Sequence, residues 1–73
     1  MENIVDLDAE LLAAHAVGDK ARLITLYAQA ADQAADIDTA CFFLTHAYVF
    51  ALDLGDPRAK TLRRRLVEHG RET

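Results

Sequence analysis

Fifteen consecutive residues, Ala40 to Leu54 (ACFFLTHAYVFALDL), constrain the fold of this chain more than any other feature. Twelve of them are apolar, and only Thr45, His46 and Asp53 interrupt the run. A surface helix of a small domain needs an apolar arc of about 100°, and this segment is apolar almost all round. It predicts the central helix of an all-α domain, covered by neighbours on several sides. No stretch of alternating β-branched residues occurs anywhere, so strands are not expected.

A chain of 73 residues has room for one domain, read here as 1–73. Chains this short bury only ~60% of their unfolded surface and commonly need a staple. Cys41 is the one cysteine, which excludes an internal disulfide, and no ligand cluster suggests a structural metal. No cofactor is expected. The apolar fraction is 52%, with Ala prominent, which favours closely packed helices. Self-association is the remaining route to stability. The start of the chain, MENIVDLDAE, is acidic and lacks the basic-then-apolar order of a secretory signal. The uninterrupted apolar runs 40–44 and 47–52 fall far short of the ~20 residues that span a bilayer. With a lone cysteine and no membrane anchor expected, the cytoplasm is the natural compartment.

Gly-Asp pairs punctuate the chain at Gly18-Asp19 and Gly55-Asp56. Gly just past a helix end relieves a left-handed position, and the following Asp accepts hydrogen bonds from the free N–H groups of the next helix. Pro57 suits a first helical turn, where its missing N–H costs nothing. Gly70 closes the last helix, and Asp36 and Asp38 offer caps at a third joint. These signals predict helices near 7–17, 20–35, 38–54 and 57–69. The first aligns Ile4, Leu7, Leu11 and Ala14. The second aligns Leu23, Leu26, Tyr27, Ala30, Ala31 and Ala34. The last carries a narrow stripe of Ala59, Leu62 and Leu66.

In the central helix the deepest seam should be Ala40, Leu44, Ala47 and Ala51, small enough for another helix to approach closely. Phe43, Phe50 and Leu54 flank one side; Cys41, Tyr48 and Leu52 flank the other. The remaining stripe of Asp38, Phe42, Thr45, His46, Val49 and Asp53 should be wet, yet Phe42 and Val49 sit within it. Either they form a rim partly covered by the preceding connection, or they form an exposed apolar strip for a partner or a second copy.

The two Gly-Asp joints stand 37 residues apart. After the first come Leu23, Tyr27 and Ala30, within Leu26-Tyr27-Ala28-Gln29-Ala30-Ala31-Asp32-Gln33. A second, looser copy runs from Thr39 through Gly55-Asp56 to Leu66. The pattern resembles the tetratricopeptide superfamily, including its Sel1-like branch, whose repeats are helix pairs of ~34 residues. The resemblance implies four helices in two antiparallel helical hairpins and a protein-binding scaffold without catalytic chemistry. Stacked hairpins of this kind need about three copies to bury enough surface. A chain with two either folds its ends over as caps or stacks with a second copy to make four hairpins, and a homodimer is the expectation.

Chemistry has few candidates. The chain has no Ser, which excludes Ser-based triads, and its three glycines are separated, which excludes a Gly-rich phosphate cradle. Cys41 and His46 are five residues apart and point roughly 140° away from each other on a helix. Cys41 reads as a small buried hydrophobe and His15 as a rim residue; a ligand or enzymatic role would have only Cys41, His15 and His46 behind it. Asp6, Asp8 and Glu10 read as capping and dipole compensation at a helix start rather than as a cation site. His69 sits where a helix C-terminus favours a cation.

Charge is uneven. Residues 1–56 carry ten acids against Lys20 and Arg22, whereas 57–73 carry six Arg and Lys against Glu68 and Glu72. The basic segment is either a docking tail for a partner or a last helix docking onto its own acidic body. Successive residues of Arg63-Arg64-Arg65 fan out by about 100° each, so they form no single patch. The acidic balance and the lack of an aromatic in this helix argue against nucleic acid, although contact through 58–65 is the alternative function. The expectation is a small protein–protein interaction module or accessory subunit that is not an enzyme. Its expected contact residues are Phe42, His46 and Val49, with Arg58 and Arg65 as a secondary edge.

Overall fold

The computed structural model describes residues 4–70, with side chains from residue 7 onward. The side chains of Ile4 and Asp6, named above in the first helix, lie outside the described residues. Four helices follow one another: α1 (Ile4–Val17), α2 (Lys20–Gln33), α3 (Ile37–Leu54) and α4 (Arg58–Glu68). No strand occurs among the described residues.

The Gly-Asp joints work through two linked devices. Gly18 (φ 70°) and Gly55 (φ 65°) take the left-handed conformation. Each is followed by a backward hydrogen bond, from Asp19 N–H to the Ala14 carbonyl (3.0 Å) and from Asp56 N–H to the Ala51 carbonyl (2.8 Å). These bonds occupy carbonyls that a helix end leaves unpaired. The same two Asp residues open the next helices. Asp19 accepts from Arg22 N–H at 3.2 Å, and Asp56 from Arg58 N–H at 2.8 Å across Pro57. The third joint has no Gly. There α2 stops at Gln33, two residues before the expected end, because Ala34 turns extended (φ −66°, ψ 143°). Asp36 rather than Asp38 supplies the cap of α3, accepting from Thr39 N–H at 2.8 Å.

Packing runs in chain order: α1 on α2, α2 on α3, α3 on α4, with α2–α3 the most extensive. The larger core joins Ile24 and Ala31 of α2, Cys41, Leu44, Ala47 and Ala51 of α3, and Leu62 and Leu66 of α4. A smaller one joins Ala14 to Leu23 and Leu26, with Leu7 and Leu11 at its edge. Tyr27 and Phe50 touch both. The expected α3 seam holds at Leu44, Ala47 and Ala51, all at 0% exposure, while Ala40 is only half-buried.

Two expectations are corrected. Ile24, left off the apolar face of α2 above, is a core residue at 1% exposure. It was missed because α2 is buried along two stripes, one against α1 and one against α3 and α4. Conversely, α3 is covered on one side only. Phe42, Val49, Leu52 and Leu54 all stay exposed, so the helix that looked enclosed has an open outer face.

Contacts reveal helix directions. Lys20 meets Asp53 and Tyr27 meets His46, so α3 runs antiparallel to α2. Thr25 meets Arg58 and Asp32 meets Arg65, both with a separation of 33 residues, so α4 runs parallel to α2. The result is a slab of 35 × 28 × 13 Å. Its radius of gyration, 12.0 Å, slightly exceeds the ~11 Å of a spherical domain of this length.

Candidate interaction surface

The outer face of α3 is built by helical periodicity. Once Leu44, Ala47 and Ala51 turn inward, Phe42, Thr45, Val49 and Asp53 must turn outward. Phe42 is 59% and Val49 50% exposed. Both side chains therefore keep at least half of their surface open.

The polar groups of the strip are held by the helix itself. Thr45 Oγ1 donates to the Cys41 carbonyl at 2.8 Å. His46 Nδ1 lies 2.9 Å from the Phe42 carbonyl. A carbonyl only accepts, so Nδ1 carries the proton and Nε2 is left as an acceptor in the neutral ring. Two shallow depressions share Thr45 and His46. One, of about 400 Å³, is completed by Asp38, Cys41 and Phe42; the other, of about 250 Å³, by Val49 and Phe50.

A chain of rings backs this surface. The Tyr27 ring stacks on His46 (centroids 5.0 Å, planes 27° apart) and on Phe50 (6.0 Å, 17°). The Tyr27 hydroxyl lies 2.9 Å from His15 Nε2, and the His15 ring meets Phe50 edge-on. Phe42 tilts against His46 with centroids 4.5 Å apart. Sequence reasoning placed Tyr27 on the core face of α2 and missed that it joins both histidines. The signal was slight: one Tyr among alanines.

Cys41 is buried and His46 half-buried, and among the described residues no hydrogen bond joins them, although both border the larger depression. No group of three or more His, Cys, Asp or Glu among the described residues is placed to hold a metal ion.

The secondary edge behaves differently. Arg58 Nη1 donates to Thr25 Oγ1 (2.7 Å) and Nη2 to the Ala21 carbonyl (3.3 Å) and to Asp56 Oδ2 (2.9 Å), while Nε donates to Asp56 Oδ1 (3.0 Å). Arg65 Nη2 donates to Asp32 Oδ1 at 2.6 Å. Hydrogen bonds donated by the Arg58 side chain and backbone hold the Asp56 carboxyl below the usual carboxylate range, and the same side-chain bonds raise the Arg58 guanidinium. Both arginines are thus engaged within the chain, tying α4 to α2, and the last helix docks on its own acidic body. The readable pattern was a matched seven-residue spacing: Thr25 and Asp32 on one helix, Arg58 and Arg65 on the other.

By length and composition alone, α3 is apolar enough to cross a membrane (18 residues, mean hydropathy 1.3), a test that core helices also pass. Its acids near either end, Asp38 and Asp53, and Thr45 and His46 between them interrupt the outer strip.

The fold and surface define an all-α chain of four successively packed helices with one helix open on its outer side. Comparison with protein-family models, with curated proteins and with solved structures found no match.

Proposed function

We propose that this chain is a small protein–protein interaction module, a cytoplasmic adaptor or accessory subunit without catalytic activity. Its contact surface is the outer strip of α3, formed by Phe42, His46 and Val49. One observation carries this reading: Phe42 and Val49 lie open on the same helix whose opposite side, Leu44, Ala47 and Ala51, is fully buried. A phenylalanine and a valine kept in water over a rigid helix are unfavourable unless a partner covers them. Protein suits the strip better than lipid, because Asp38 and Asp53 lie near its ends and a bilayer core penalises charge.

The helices group as two antiparallel hairpins, α1–α2 and α3–α4, in the manner of tetratricopeptide repeats. The short Gly-Asp joint inside each pair favours that grouping, and because α3 runs against α2 while α4 runs with it, α3 and α4 are antiparallel. Contact with nucleic acid through 58–65 has less behind it, since Arg58 and Arg65 are spent on Thr25, Asp56 and Asp32.

The test is a double substitution, Phe42→Gln with Val49→Gln. Circular dichroism and thermal melting should stay close to the parent while association, read by light scattering over a concentration series, is lost. An unfolded double variant would place both residues in the core and end the proposal.

A further inference from the structure

We infer that the groove between α2 and α4 is a docking site for an acidic protein segment. One large apolar side chain of that segment enters the groove, and a neighbouring carboxylate pairs with Arg65. The site lies apart from the outer strip of α3 and does not depend on it.

The groove follows from the order of packing. α2 and α4 both lie against α3, and their backbones stay apart. Two parallel helices carried in this way on a third leave a trough between them. Its floor is apolar, made by Ile24 and Leu62 of the core, with Ala28 and Thr61 on its walls. Two guanidinium groups cross it, Arg58 reaching Thr25 and Arg65 reaching Asp32. Seven residues separate these arginines on α4, a rise of about 10.5 Å. They divide the trough into a short slot closed at both ends.

Size selects what enters. The slot holds about 170 Å³. An apolar cavity of about 150 Å³ holds a benzene ring, so one Phe or Leu side chain fits. Pockets for whole small molecules begin near ~300 Å³. One anchor residue of a larger partner therefore matches the slot better than a free metabolite does.

The two arginines differ in what they leave free. Arg58 is fixed by Thr25, the Ala21 carbonyl and Asp56, which engage Nη1, Nη2 and Nε. It serves as a rigid wall. Arg65 donates only through Nη2, to Asp32; among the described residues its Nε and Nη1 donate to nothing. A guanidinium has five N–H groups, so Arg65 keeps Asp32 and still offers donors to a second carboxylate at the edge of the slot. The helix around it is strongly basic, with Arg58, Lys60, Arg63, Arg64 and Arg65 against Glu68. A positive wall beside an apolar slot complements an acidic segment with an apolar anchor.

The test uses the whole chain, labelled with nitrogen-15, and four probes at low salt. They are capped Glu-Glu-Phe-Glu-Glu, its Gln-for-Glu and Ala-for-Phe counterparts, and free hydrocinnamate. The acidic Phe peptide should shift the amides of Ile24, Ala28 and Leu62. Its two counterparts should bind about tenfold more weakly or worse, since burying a Phe ring or losing an ion pair to Arg65 changes affinity on that scale. Ala28→Leu fills the slot and keeps both arginines, and Arg65→Gln removes the free donors. Each should weaken the peptide by about tenfold, with thermal melting showing the variant folded. If either variant fails to fold, the peptide comparison on the parent chain decides alone. Absence of shifts at millimolar peptide, equal binding by either counterpart, or shifts centred on Phe42 and Val49 would overturn the site. Hydrocinnamate binding as tightly as the peptide would overturn the protein segment as its occupant.

Discussion

Leu44 and Phe42 lie two residues apart in α3, and alanine at each should have sharply different consequences. Leu44 is at 0% exposure within the core shared by α2, α3 and α4. Leu→Ala at such a site removes the transfer energy of the lost methyl groups and leaves a cavity, together about 2–5 kcal/mol. A chain of this length has roughly 4–11 kcal/mol of total stability at typical per-residue values, so Leu44→Ala should remove a large part of it. Phe42 keeps 59% of its surface in water. Burying a whole Phe side chain is worth ~1.5–3 kcal/mol, so less than half of that, about 1 kcal/mol, is at stake. The better helix propensity of Ala returns roughly 0.5 kcal/mol of it. Urea titrations at low micromolar chain concentration, below any association, give both values under one protocol. A loss above about 2 kcal/mol for Phe42→Ala would refute the assignment of Phe42 to the open face. Raising the chain concentration should then widen the effect of Phe42→Ala alone, because association stabilises the folded chain by mass action.

Gly55→Ala should cost about 1 kcal/mol, read from the same titrations, through backbone conformation alone. Its φ is 65° and an added Cβ meets nothing within 4 Å, so a larger loss would point to an unrecognised steric role. Arg65→Ala should cost about 1 kcal/mol or less and lose its effect in 1 M salt, because the Asp32–Arg65 pair is largely solvent-exposed. Acid should destabilise the fold through Asp36 and Asp56, both held below the ordinary carboxylate range by bonds to Thr39 and Arg58 respectively. Depressed carboxylates contribute stability above their unfolded value of ~3.9 and lose it as pH falls through the lower folded value. Melting temperature should therefore drop below about pH 4, with a shallower drop in Asp56→Asn.

Much of the architecture was legible because its signals are local. Gly18-Asp19 and Gly55-Asp56 terminate and cap helices through bonds that span only a few residues, so their meaning is independent of the rest of the fold. The seam of Leu44, Ala47 and Ala51 and the stripe of Leu62 and Leu66 follow from helical periodicity. The same periodicity put Phe42 and Val49 on the outward side of α3 without saying whether anything covered them.

Tertiary structure decided what depends on the number and direction of neighbours. Ile24 became core because α2 is packed along two stripes, and one helix's periodicity cannot reveal how many others it touches. Phe42, Val49 and Leu52 stayed exposed because α3 has neighbours on one side only, so apolar composition overstated its burial. Arg58 and Arg65 were engaged at the surface by Thr25, Asp56 and Asp32, with both interhelical contacts 33 residues apart. That pairing exists only because α4 lies parallel to α2, and direction is a property of the assembled helices. Caps and faces are set within a few turns of chain; coverage is set by what packs against them.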